Sequence, residues 1–106
     1  MKNSNTPQCV VLYRWKLKPG LEQQFIESWS QGTADLLLHG SFGSRLHKGS
    51  DGIWYAYAQW PSAEVRETAF ANSPDTPVQE KLREAIDESF PPVFLEPVSD
   101  YLRLPI

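Results

Sequence analysis

His47 and Arg45 are the side chains whose types and spacing most suggest chemistry. One titrates near neutrality, the other is a fixed cation, and a single residue separates them in a strand-like run. Residues two apart on a strand share a face. His47 is therefore a candidate base and Arg45 a candidate partner for a developing anion. If the loop to the next strand has an even number of residues centred on Ser50 and Asp51, His47 stands opposite Trp54, Arg45 opposite Ala56 and Gly43 opposite Ala58. Arg45, His47, Trp54 and Trp60 then surround the small Ala56 and Ala58, and Trp29 is a further aromatic candidate. This outlines a pocket for a small aromatic or apolar ligand, on the sheet face that helices cover. The opposite face would carry Leu46, Ile53, Tyr55 and Tyr57, a composition suited to a dimer interface. Tyr13, Arg14 and Tyr101 are secondary candidates, whose facing the pattern leaves open.

Other chemistries lack their residues. His39 and His47 are eight apart with no clustered cysteines or carboxylates, and neither a phosphate loop nor a dinucleotide fingerprint is present. No metal and no cofactor are expected. A net charge of −3 with scattered Lys and Arg argues against a nucleic-acid partner. Glu80, Lys81, Arg83, Glu84, Asp87 and Glu88 read as a solvated helix face laced with ion pairs. The single Cys9 heads an apolar strand and reads as core. No window reaches the roughly 18 apolar residues of a membrane span, so no membrane partner is expected. The polar start lacks a signal-peptide core, and the expected location is the cytoplasm.

The elements that must position these residues follow from pattern. Residues 1–8 read as a disordered tail, and residues 9–106 as one domain. CVVLYRWKL, beginning at Cys9, is β-branched and aromatic, and forms the first strand. After Lys18-Pro19-Gly20, apolar residues at helical spacing predict a helix over 21–38, closed by Gly40, with His39 placed to favour the helix C-terminus. Residues 43–48 and 53–60 predict a hairpin around the Gly49-Ser50-Asp51-Gly52 turn. Pro61-Ser62 opens a helical stretch to about Ala71, interrupted over 72–77. A second piece starts at Thr76 as N-cap, with Pro77 at the first helical position and Gln79 completing a capping box. Val78, Leu82, Ile86 and Phe90 form its stripe, and Pro91-Pro92 ends it. Residues 93–104 predict a last strand, placed at an edge by Pro97.

The order β-α-β-β-α-β predicts an α+β ferredoxin-like domain: a four-stranded antiparallel sheet with both helices on one face. The uncovered face is too apolar to stay wet, and the aromatic load of 12 % is large for 106 residues. A second copy packed on that face removes the exposure, which predicts a homodimer.

Three stretches, LKPGLEQQF from Leu17, GSRLH from Gly43 and WYAYAQWPS from Trp54, make the chain resemble the antibiotic-biosynthesis-monooxygenase-type family of the dimeric α+β-barrel group, over about residues 9–104. The resemblance implies two sheets back to back, with a pocket in each subunit between its sheet and its own helices. It also implies activities among cofactor-free oxygenases of electron-rich aromatic substrates and haem-degrading enzymes. The haem-degrading branch uses an Asn on strand one and a His on the second helix; here strand one has no Asn, and 62–90 contains no His. The expected function is thus a homodimeric, cofactor-independent monooxygenase of a small phenol- or quinol-like substrate. The alternative is a non-catalytic dimeric ligand-binding or scaffold protein, with haem binding a third reading.

Overall fold

The β-branched and aromatic run CVVLYRWKL forms β1 (Cys9–Leu17), the strand at the centre of the sheet. The computed structural model describes residues 7–73 and 75–103. Residues 1–6 of the expected tail, Pro74 in the expected helix break and residues 104–106 lie outside the described residues. β1 leads through Gly20 into α1 (Glu22–Leu37), which ends as predicted: His39 Nδ1 lies 3.0 Å from the Asp35 carbonyl oxygen, and Gly40 takes a φ of +101°. β2 (Gly43–Lys48) and β3 (Trp54–Trp60) form the hairpin.

Ser62 caps α2 (Ala63–Ala71), its hydroxyl accepting from the Val65 N–H at 3.1 Å. Thr76 caps α3 (Pro77–Glu84), accepting from the Gln79 N–H at 3.4 Å. The expected box does not close reciprocally, because the Gln79 side chain donates to Ser73 Oγ instead. α3 also stops six residues before Phe90, the expected end, and the chain enters β4 (Ile86–Ser89). The cause is a double meaning in the pattern. A spacing of four, as between Ile86 and Phe90, suits one helix face and one strand face equally. Lys18 N–H donates to the Ala85 carbonyl at 2.9 Å, and the ladder with β1 captures the segment from there.

Pro91-Pro92 then separates β4 from β5 (Val93–Leu95), which also pairs with β1. Of the strand predicted over 93–104 only Val93–Leu95 forms, β4 coming instead from the end of the predicted helix, and no strand continues past Leu95 among the described residues. The strand order is β2-β3-β1-β4, with β5 beside β1, all pairings antiparallel. This is the ferredoxin-like α+β arrangement.

Burial alternates strictly along β3: Trp54, Ala56, Ala58 and Trp60 are buried, and Tyr55, Tyr57 and Gln59 are half-buried. The buried set lies with Tyr13, Val11 and Cys9 of β1 under the helices. Phe25 of α1 is fully buried there, between Trp15 at 5.1 Å and Trp54 at 6.3 Å, both edge-on. Burying such a ring contributes about 1.5–3 kcal/mol. The opposite face carries Val10, Leu12, Arg14, Tyr55 and Tyr57; none of the described helices covers it, and residues 95–102 run beside Val10 and Tyr57.

Candidate functional site

Gly52 decides which residues share a face. It adopts a φ of +82°, Gly49 N–H donates to the Ile53 carbonyl at 2.7 Å, and Gly52 N–H donates to the Gly49 carbonyl at 3.0 Å. The loop inside that pair is Ser50-Asp51-Gly52, an odd count, in which a left-handed glycine supplies the bulge that lets two strands leave in register. His47 consequently faces Tyr55, Arg45 faces Tyr57, Leu46 faces Ala56 and Ser44 faces Ala58.

This corrects the placement expected of His47 and Arg45. Both are exposed and lie on the face without helices, away from Trp54, Ala56, Ala58 and Trp60. Leu46 moves the other way, off the predicted interface face. A one-residue slip exchanges the faces of a whole strand, and the even-loop assumption supplied that slip. The acid-base role argued for His47 required the other face.

The helix-covered face does hold a cavity, of about 350 Å³. Tyr13 and Trp15 of β1, Ser44 of β2, and Ala58 and Trp60 of β3 form its floor. α1 provides one wall through Ser28, Trp29, Thr33 and Leu36, and Phe70, Val78, Gln79 and Leu82 provide the other. Trp29, Ala58 and Trp60 line the cavity. Trp54 and Ala56 do not; both are buried, Trp54 edge-on to Phe25. The lining residues missed include Trp15, Phe70, Leu82 and the serines and threonine, whose spacing carries no motif. Gly32 lines the cavity too, and no neighbouring atom lies within 4 Å of where a Cβ would stand on it.

The polar groups here are mainly hydroxyls, with Gln79, Arg83 and the Trp60 indole. Trp60 is 1 % exposed, and its indole N–H has no partner. An orphaned buried donor is costly, by about 1–3 kcal/mol. Tyr13 accepts from Arg66 Nη2 at 2.8 Å and Nε at 3.2 Å. Arg83, at the rim, pairs with Asp75 at 3.1 Å. No His, Asp or Glu lines the cavity among the described residues.

Of the secondary candidates, Arg14 is on the uncovered face, its guanidinium 5.4 Å from the Phe90 ring centre and its buried Nε unpartnered. Tyr101 is 92 % exposed. At the hairpin tip the Tyr55 hydroxyl donates to Asp51 at 2.5 Å. That bond, followed by the Ile53 N–H, holds the Asp51 carboxyl below its ordinary range; the same bond pushes the Tyr55 phenol up, burial adding to it. Among the described residues no cluster of three His, Cys, Asp or Glu could hold a metal, and no helix is long and apolar enough to cross a membrane.

No family model and no curated protein matches the chain by sequence. Solved structures do match its fold. SnoaB, a cofactor-independent oxygenase from Streptomyces nogalater, superposes with a TM-score of 0.76 at 14 % identity, covering 92 % of this chain and 100 % of its own. A dimeric ferredoxin-like protein from an uncultured marine organism gives 0.74 at 13 % identity, covering 98 % and 99 %. A protein described as an antibiotic biosynthesis monooxygenase gives 0.71 at 12 % identity, covering 86 % and 99 %. The chain thus has the fold of antibiotic-biosynthesis-monooxygenase-type structures, the one its sequence motifs resemble. At these identities the likeness concerns the fold.

Proposed function

We propose that the chain acts as a homodimer in which each subunit binds a small aromatic ligand between its sheet and its helices, as a cofactor-independent oxygenase. The observation that carries this reading is the cavity itself: about 350 Å³, lined by Trp15, Trp29, Trp60 and Phe70. The volume suits a small fused-ring ligand.

Oxygen chemistry here would start from a ligand anion. A ring CH2 beside a carbonyl loses a proton, the enolate passes one electron to O2, and the radicals combine at that carbon as a peroxide. Loss of water leaves a carbonyl, so that CH2 and O2 become C=O and H2O. The chain's contributions are positioning, exclusion of water and donors for the anionic oxygen. Because no described His, Asp or Glu lines the cavity, the substrate must be acidic enough to ionise without a protein base.

That same absence of a described base favours a second reading, ligand binding without turnover. An aerobic screen of anthrone-like phenols and hydroquinones with metal-free protein, following oxygen uptake, separates the two. One O2 consumed per substrate supports the oxygenase; saturable binding without uptake supports the binding protein.

The dimer reading rests on the uncovered face. Leu12 and Tyr57 are half-buried there, Val93 and Leu95 are 39 % and 40 % exposed, and the Arg14 Nε lacks an acceptor. A second copy would cover these apolar side chains, and the likeness to the dimeric ferredoxin-like protein supports that arrangement. A cytoplasmic location is proposed with it.

A further inference from the structure

Tyr13 stands on the cavity floor with its oxygen already claimed. Arg66 of α2 donates to it twice, through Nη2 at 2.8 Å and Nε at 3.2 Å. The guanidinium is held in that orientation by aromatic rings, its centre 4.8 Å from the Phe70 ring and 5.1 Å from the Phe94 ring of β5. A phenol has one proton to give and can accept at its oxygen. With two donors from a fixed cation converging on the oxygen, further acceptance is blocked, and the proton is the remaining capacity. No described residue accepts it.

The geometry points to Tyr13 as a dedicated hydrogen-bond donor to an oxygen of the bound ligand, with Arg66 as the positioning residue that sets its direction and favours negative charge on that oxygen. The cavity would thus select flat ligands with carbonyl, phenol or enolate oxygens over hydrocarbons of equal size. Arg66 does not itself line the cavity, so its charge would act through the phenol. Charge-assisted donors strengthen hydrogen bonds, which suits an oxygen that becomes anionic. This inference rests on the reading of the cavity as a ligand site.

The test compares binding of naphthalene and a naphthoquinone, followed by quenching of tryptophan fluorescence, in the unmodified protein, Tyr13→Phe, Arg66→Ala and Arg66→Lys. Tyr13→Phe keeps the ring and removes the proton. It should weaken naphthoquinone binding about tenfold, the loss of one good hydrogen bond, and leave naphthalene unchanged. Arg66→Ala should weaken the quinone selectively as well, and Arg66→Lys should restore part of the loss. If Tyr13→Phe leaves quinone binding intact, or weakens both probes alike, the Tyr13 proton goes to solvent and the pair merely fastens α2 to the sheet. If the unmodified protein binds neither probe, the ligand-site reading fails and this inference with it. Naphthalene binding by the unmodified protein therefore distinguishes the two failures.

Discussion

His47 lies directly opposite Tyr55 across the hairpin ladder, on the sheet face that no helix covers. Both side chains therefore stand where a second sheet would pack, not where a ligand would enter. Replacing His47 with Ala should change the dimer dissociation constant and leave binding in the helix-side cavity as it was. Sedimentation across a protein dilution series, with ligand titration in parallel, checks both halves. A selective loss of ligand binding would return His47 to the site.

Tyr57 is the centre of that face, opposite Arg45 on one side and Leu12 on the other. Tyr57→Asp should give monomers at micromolar protein, since a carboxylate would have to be desolvated between two sheets. A dimer that survives this change pairs through some other surface.

Ala58 and Ala56 are two residues apart on β3 and separate cleanly by outcome. Ala58 lines the cavity, so Ala58→Leu should fill it, abolish ligand binding and keep the dimer. Ala56 is fully buried off the cavity, and Ala56→Leu should overpack the core at a cost of about 1–3 kcal/mol. Denaturant unfolding of both variants measures the contrast.

The hydrogen bond between Tyr55 and Asp51 ties the hairpin tip and predicts a pH window. Asp51 has its folded pKa lowered from 3.8, so its contribution is present above that value and is lost as pH falls through the folded pKa. Tyr55 has its folded pKa raised from 10.0, so its contribution is complete below that value and is lost as pH rises through the folded pKa. One of the four tyrosines should therefore ionise later than an ordinary phenol in an ultraviolet titration, and Asp51→Asn should bring it back.

Thr76→Ala should cost only about 0.5–1 kcal/mol, the lower part of the N-cap range, because its bond to the Gln79 N–H is long at 3.4 Å and no reciprocal bond completes the box. A loss well above that range would show that Thr76 supports more than the first turn of α3.

Local signals were enough for most of the architecture. Ser62 and Thr76 cap helices because a side-chain oxygen next to free backbone N–H groups is a local arrangement, readable wherever it occurs. The apolar run of β1 and the alternation of β3 placed the central pair, and the β-α-β-β-α-β order followed from them. Ala58 and Trp60 line the cavity while Ala56 and Trp54, the same types on the same strand, do not, so residue type alone does not place a side chain there. Facing was not local either. Whether His47 joins Trp54 or Tyr55 depends on one left-handed residue, Gly52, inside a loop whose composition allows either count. The fate of Ile86 and Phe90 depended on competition between a helix and the edge of β1, a contest between segments some seventy residues apart along the chain. The meeting of Tyr13 with Arg66, fifty-three residues apart, exists only once α2 lies across the sheet. Neighbours in sequence set local dihedral preferences; which side chains share a face or a cavity is set by register and by packing between distant elements.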